Sequence, residues 1–142
     1  MTRAASQPIV GRVDRAGLHV GQILWELTRP AITRTDIVRY AGASGDFTPV
    51  HHDDTYARNA GNPSVFAMGL YPAGILASQV TQHFGPIGVR RFSIRFTDKI
   101  WPGDILTYSA RVFAVGDEIE LELSVSDQHG TSKLTGSATL AN

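Results

Sequence analysis

No cysteine occurs anywhere in the 142 residues. That absence excludes disulfide bridges, thiolate nucleophiles and Cys-ligated zinc, and it suits a cytosolic setting. An excess of charge is lacking too: thirteen Lys and Arg balance thirteen Asp and Glu. No overall field therefore gathers nucleic acid or an anionic membrane surface. No apolar run approaches the roughly 20 residues needed to cross a bilayer. The opening MTRAASQPIVGRVDRAG has no continuous apolar stretch and does not read as a signal peptide. Repeats, Walker motifs and dinucleotide-binding glycine patterns are missing as well. His83 and His129 are isolated, one near a helix end and one in a turn, so neither a metal nor a cofactor is expected.

What is present suits one globular domain over residues 1–142. The chain is 42% hydrophobic and 18% charged, with length enough for one core and too little for two. Residues 1–20, carrying Gly11 and Gly17, read as a partly ordered lead-in. A first strand is predicted over 22–28, closed by Pro30. Thr33 or Thr35 can cap a short helix whose apolar side is Ile37, Val38 and Tyr40 and which Gly42 ends. A turn-rich stretch follows, then a second short helix near 54–60 with Asp53 as its cap. The segment 69–82 is apolar nearly all round and predicts a longer, buried helix. Pro72 is tolerable only in its first turn, which sets the start near Met68 or Gly69. The rest alternates with period two: 91–97, 105–113, 119–125 and 133–140, separated by the turns WPGD, VGDE and DQHG. The order predicts an α+β fold, in which an antiparallel meander packs on one helix. Such a sheet covers the helix on one face only, which favours a dimer.

The stretch Ser44-Gly45-Asp46-Phe47-Thr48-Pro49-Val50-His51-His52-Asp53 carries the candidate chemistry. Gly45 and Pro49 fold it into a turn that can bring the Asp46 carboxylate and the His51 imidazole to one wall of a cleft. A water between them would meet one acceptor and one donor, the arrangement reversible proton transfer needs. His titrates near neutral pH, and a partly buried Asp can be moved toward that range. The same residues also fit a plainer role, with Asp46 bonding turn amides and His51 as a satisfied buried side chain.

YAGASGDFTPVHHDDTYARNAG resembles the hydratase motif of MaoC-like proteins, the (R)-specific enoyl-CoA hydratases and (3R)-hydroxyacyl-thioester dehydratases. The likeness extends to VGQ at 20–22, the helix TRTDIVRYAG, the strand SIRFT and the WPGD turn. It implies a hot-dog fold, a long central helix wrapped by an antiparallel sheet. It implies addition or removal of water at a trans-2-enoyl thioester carried by CoA or acyl carrier protein, with Asp46 and His51 holding the water. The family usually has a His-Gly pair at the central helix start, the Gly amide receiving the thioester oxygen. Here Gly69 matches and Met68 replaces the His. A divergent branch, the actinobacterial hydratases acting on steroid side-chain CoA thioesters, is similar in its DFxxVHHD pattern and in a helix start without the His-Gly pair. Arg90, Arg91, Arg95 and Lys99 are then candidates for CoA phosphates, although exposed strand faces often carry charge. Two other readings fit the fold: a hot-dog acyl-CoA thioesterase, and a tunnel-shaping subunit of a heteromeric dehydratase. The partner would be a second copy or a related hot-dog subunit.

Overall fold

The computed structural model describes residues 13–142. The lead-in expected over 1–20 lies largely outside them, Gly11 included. Element order follows the sequence reading: β1 (Ile23–Thr28), α1 (Arg34–Ser44), α2 (Asp54–Asn59), α3 (Leu70–Phe84), β2 (Val89–Phe96), β3 (Thr107–Val115), β4 (Glu118–Ser126) and β5 (Ser132–Ala141). The five strands form one sheet in the order β1-β3-β4-β5-β2, antiparallel throughout. Their inner face presents Tyr108, Val112, Leu121, Leu123, Leu134, Ala138 and Leu140, all at 1% exposure or less. Burying each large apolar side chain is worth ~1.5–3 kcal/mol, so this face anchors the sheet onto α3. The result is a hot-dog fold, with α3 as the central helix.

Two local expectations are corrected. Helix α1 does not stop at Gly42; it runs to Ser44. Gly45 ends it at φ 75°, where its N–H bonds back to the Ala41 carbonyl at 2.9 Å. A glycine inside a helix is tolerated, whereas the left-handed end position demands one. At the other end, Thr33 and Asp36 form a reciprocal capping box.

The second correction concerns α3, which is not buried all round. Ala73, Leu76, Val80 and Phe84 face the sheet, while Leu70, Gly74, Ser78 and Gln82 form an exposed stripe at four-residue spacing. One five-stranded sheet cannot surround a helix, so the far stripe stays uncovered among the described residues.

An unforeseen feature braces the sheet end nearest α2. Lys133, on β5, is 3% exposed and faces three carboxylates: Asp98 at 2.9 Å, Asp127 at 3.4 Å and Asp104 at 3.6 Å. It also donates to the Lys99 carbonyl at 2.8 Å. Burial works against its charge, but the bond to Asp98 and the field of Asp104 hold the ammonium above the usual lysine range. Lys133 thereby ties β5 to the 98–104 connection, which packs against the segment entering α3 through Ala67 N–H and the Ile100 carbonyl.

Candidate active site

The turn after α1 places Asp46 and His51 side by side. Gly45 ends the helix, and Pro49–His51 forms a single 3-10 turn that swings His51 inward to 9% exposure. His51 Nδ1 bonds the Phe66 carbonyl at 2.6 Å, and the two rings meet edge to face with centroids 5.1 Å apart. A carbonyl oxygen only accepts, so Nδ1 carries a proton, and in the neutral form of the ring Nε2 is an acceptor. Nε2 lies 3.6 Å from Asp46 Oδ2.

That geometry revises the donor-and-acceptor expectation. A carboxylate oxygen and a bare imidazole nitrogen are two acceptors, and they cannot bond each other without a proton between them. One water can donate to both from ordinary hydrogen-bond distance, ~2.8 Å from each. The arrangement is a two-point holder for a water oxygen whose lone pairs remain free.

Asp46 itself departs from the expected drift toward neutrality. Thr48 Oγ1 donates to its Oδ1 at 2.7 Å and Thr48 N–H donates at 3.2 Å. These bonds hold the carboxyl below the usual carboxylate range, the hydroxyl contributing most. Asp46 therefore stays ionised at neutral pH. The carboxylate is well exposed, at 40% for its side chain, so burial is too slight to raise it.

His52 faces the other way. Its Nε2 donates to the Phe47 carbonyl at 3.0 Å, and the residue is exposed. Replacing His52 by Ala should cost less than about tenfold in turnover, because its ring takes no part in holding the water. Equal losses from His52→Ala and His51→Ala, with both variants folded, would show that the wrong imidazole has been assigned.

The segment behind the dyad leads directly to the central helix. Phe66, whose carbonyl fixes His51, stands three residues before Gly69, so their Cα atoms are at most roughly 11 Å apart. Gly69 is the N-terminal boundary residue of α3; no side chain caps the helix there. The amides of Gly69 and Leu70 have no acceptor among the described residues. A helix start with free N–H groups attracts a developing oxyanion. The Phe96 ring lies over Gly69, where an added Cβ would sit 2.6 Å from it. Met68 is buried in the core, so this position supplies no polar group beside Gly69.

The four basic residues do not form one cluster. Arg90 and Lys99 stand at opposite ends of β2, a strand of roughly 25 Å. Arg91 and Arg95 project from its outer face; Arg91 lies over a shallow groove with Phe113, Glu120 and Ser137. Lys99 is the one tied to the dyad region: its Nζ donates to Asn62 Oδ1 at 2.7 Å and sits 5.3 Å over the Phe66 ring. Asp54 closes the same region, accepting from Val65 N–H at 3.1 Å and pairing with Arg34. Thr48, Phe66 and Asn62 went unnoticed in the sequence. For Thr48 the cue was available, since a hydroxyl two residues after an Asp commonly bonds it in a turn.

Comparison with known proteins gives the family and the fold. Residues 20–134 match the MaoC like domain. The chain belongs to the MaoC-like dehydratase family. The peroxisomal hydratase-dehydrogenase-epimerase of Saccharomyces cerevisiae is 39% identical over 67 residues, covering 47% of this chain and 7% of that protein. The chain thus spans only a small part of such multifunctional relatives. The beta subunit of a 3-oxo-4,17-pregnadiene-20-carboxyl-CoA hydratase from Mycobacterium tuberculosis is 33% identical over 84 residues, covering 58% of this chain and 65% of that one. Among solved structures, the R-hydratase PhaJ1 from Pseudomonas aeruginosa superposes with a TM-score of 0.80 at 25% identity, covering 92% of this MaoC-like chain and 85% of that one. A chain of the ChsH1-ChsH2 complex from Mycobacterium tuberculosis gives a TM-score of 0.76 at 29% identity, covering 87% and 97%.

Proposed function

We propose that this MaoC-like chain hydrates trans-2-enoyl thioesters and, in reverse, dehydrates (3R)-hydroxyacyl thioesters. The observation that carries the reading is the pair of acceptors, Asp46 Oδ2 and His51 Nε2, 3.6 Å apart. Water held by both attacks the β-carbon of the enoyl group. Its proton passes to the pair, its oxygen bonds the β-carbon, and the π electrons move through the α-carbon onto the thioester oxygen. The Gly69 amide receives that oxygen. The enolate then collapses and takes the proton from the pair at the α-carbon, leaving Asp46 and His51 as they began. Both additions come from one pair of groups and so occur on one face. A coupled pair titrates as a unit, so the proton is assigned to the pair rather than to either residue.

The amide donor is backbone, which explains how the site can dispense with an imidazole at Met68. Restoring that imidazole by Met68→His should change activity by less than about tenfold, or ~1.4 kcal/mol in the barrier. Gly69→Val should lower turnover by up to ~10²-fold, near the cost of losing one oxyanion donor. Its branched Cβ meets the Phe96 ring and crowds the carbonyl. Phe96 is 52% exposed and can move, so the melting temperature should change little. Steady-state kinetics and thermal melts on both variants check this; a large gain from Met68→His would mean the natural site is poorly suited to ordinary enoyl-CoA.

For the carrier, Lys99 is the best-placed of the four cations, beside Asn62 and the Phe66 ring; Arg91 and Arg95 lie on the outer face of the sheet and Arg90 toward the far end of β2. The Mycobacterium tuberculosis relatives support a bulky acyl group as substrate. The uncovered α3 stripe and the free edge of β2 support pairing with a second hot-dog subunit, its own copy or a relative. No helix among the described residues is long and apolar enough to cross a membrane. Supplying crotonyl-CoA to the purified protein, while following enoyl absorbance and free thiol together, tests the activity. Thiol release without hydration would make it a thioesterase, and silence in both assays, on crotonyl-CoA and on a steroid-bearing enoyl-CoA alike, a non-catalytic subunit.

A further inference from the structure

We propose that Thr48 is a positioning residue for the proposed hydration, holding the Asp46 carboxylate so that Oδ2 alone faces the water. The inference rests on the hydratase reading of the Asp46–His51 pair. Both donors of Thr48, its N–H and its hydroxyl, converge on Oδ1, at 3.2 and 2.7 Å. The oxygen left over is the one 3.6 Å from His51 Nε2. The final torsion of an Asp side chain is a broad, two-fold rotor with no strong intrinsic preference. At an exposed position, packing does not fix it either. Two donors on one oxygen remove that freedom, and the second acceptor for the water becomes permanent.

The surrounding turn is built to keep Thr48 in place. Asp46 N–H bonds Ser44 Oγ at 3.2 Å, at the end of α1. Pro49 follows Thr48 and restricts its backbone to the extended region. The His52 ring, donating to the Phe47 carbonyl, closes the loop from the other side. His51 is the titratable side chain facing Asp46; His52 is turned away from it.

The consequences separate from a merely structural role. Thr48→Val keeps shape and the backbone donor but loses the hydroxyl. Its turnover should fall roughly ten- to a hundredfold, the scale of a misplaced catalytic group, with KM little changed. The acid limb of its turnover–pH profile should move upward. The lost hydroxyl is the largest influence holding the Asp46 carboxyl low, and Asp46 must be ionised to accept from water. Thr48→Ser retains the hydroxyl and should restore both turnover and pH limb.

The test compares the parent, Thr48→Val, Thr48→Ser and Asp46→Asn on crotonyl-CoA across pH, alongside a carbon-13 NMR titration of the Asp46 carboxyl. A raised carboxyl midpoint and lower turnover in Thr48→Val, both reversed in Thr48→Ser, are the expected results. Parent-like turnover and pH limb in Thr48→Val, while Asp46→Asn is inactive, would overturn the role of Thr48 and leave the hydratase reading standing. A parent inactive on crotonyl-CoA and on a steroid-bearing enoyl-CoA alike would remove the catalytic role altogether, whatever the carboxyl titration reads. An unchanged midpoint in Thr48→Val would show that the hydroxyl does not hold the carboxylate.

Discussion

Asp46→Asn and His51→Ala should each lower hydratase turnover by at least ~10²-fold, the scale of lost proton-transfer catalysis. The two changes remove the two halves of the water holder. Asn offers an amide whose oxygen still accepts but carries no charge and takes no proton. Ala leaves Asp46 as the sole acceptor and opens a space beside the Phe66 ring. Neither should unfold the protein. Asp46 is well exposed, and although His51 is largely buried, it gives up one bond to a carbonyl and one edge-to-face contact. Single-turnover rates with thermal melts decide the matter, and near-parent turnover in either variant would remove that residue from the mechanism.

Lys133→Met should destabilise the fold by ~3–5 kcal/mol, the usual cost of removing one partner from a buried charge group. That is a large share of the ~5–15 kcal/mol that holds a domain together. Asp104 and Asp127 are buried beside the missing ammonium. The pH dependence carries a sign. Asp98 and Asp127 are held below the usual carboxylate range, Asp98 chiefly by its bond from Lys133. For Asp127, burial pushes upward and is outweighed by the amides of Thr131 and His129 and by Lys133. Groups with lowered values stabilise the fold above ~pH 4 and lose that contribution as pH falls through their folded values. Lys133, held high, contributes below ~pH 10 and loses its share as pH rises through its folded value. The penalty of Lys133→Met should therefore be full at neutral pH and shrink below about pH 4, where the carboxylates take up protons. A melting temperature on the order of 10 °C lower at neutral pH, converging with the parent in acid, is expected. An equal penalty at both pH values would mean that packing, not charge, is what Lys133 provides.

Much of the fold was legible because period-two alternation and capping are local signals. The β4 pattern Ile119, Leu121, Leu123 and Val125 names its inner face outright, and Asp53 and Pro72 fix the starts of α2 and α3 by chemistry that acts within one turn. What escaped depends on distant chain. Lys133 reads as an ordinary surface lysine at a strand start, and only the folding of 98–104 and 127–131 around it makes it a buried hub. The exposed stripe of α3 was hidden because Leu70, Gly74 and Ser78 sit among apolar neighbours, and spacing cannot say which side the sheet will take. The candidate site was half legible. Spacing and turn chemistry bring Asp46 and His51 together, whereas the tautomer of His51 depends on the carbonyl of Phe66, fifteen residues away. That contact turns an expected donor into an acceptor. The lowered value at Asp46 likewise rests on Thr48, a local turn contact for which the pattern already held the cue.

Division of one water across one face of the enoyl thioester is tested most directly by hydrating crotonyl-CoA in heavy water with the purified protein. The predicted product is (3R)-3-hydroxybutyryl-CoA bearing a single deuterium at C2, on the same face as the new hydroxyl. Release of free CoA with no hydroxyl formed, or a (3S) product, would contradict it.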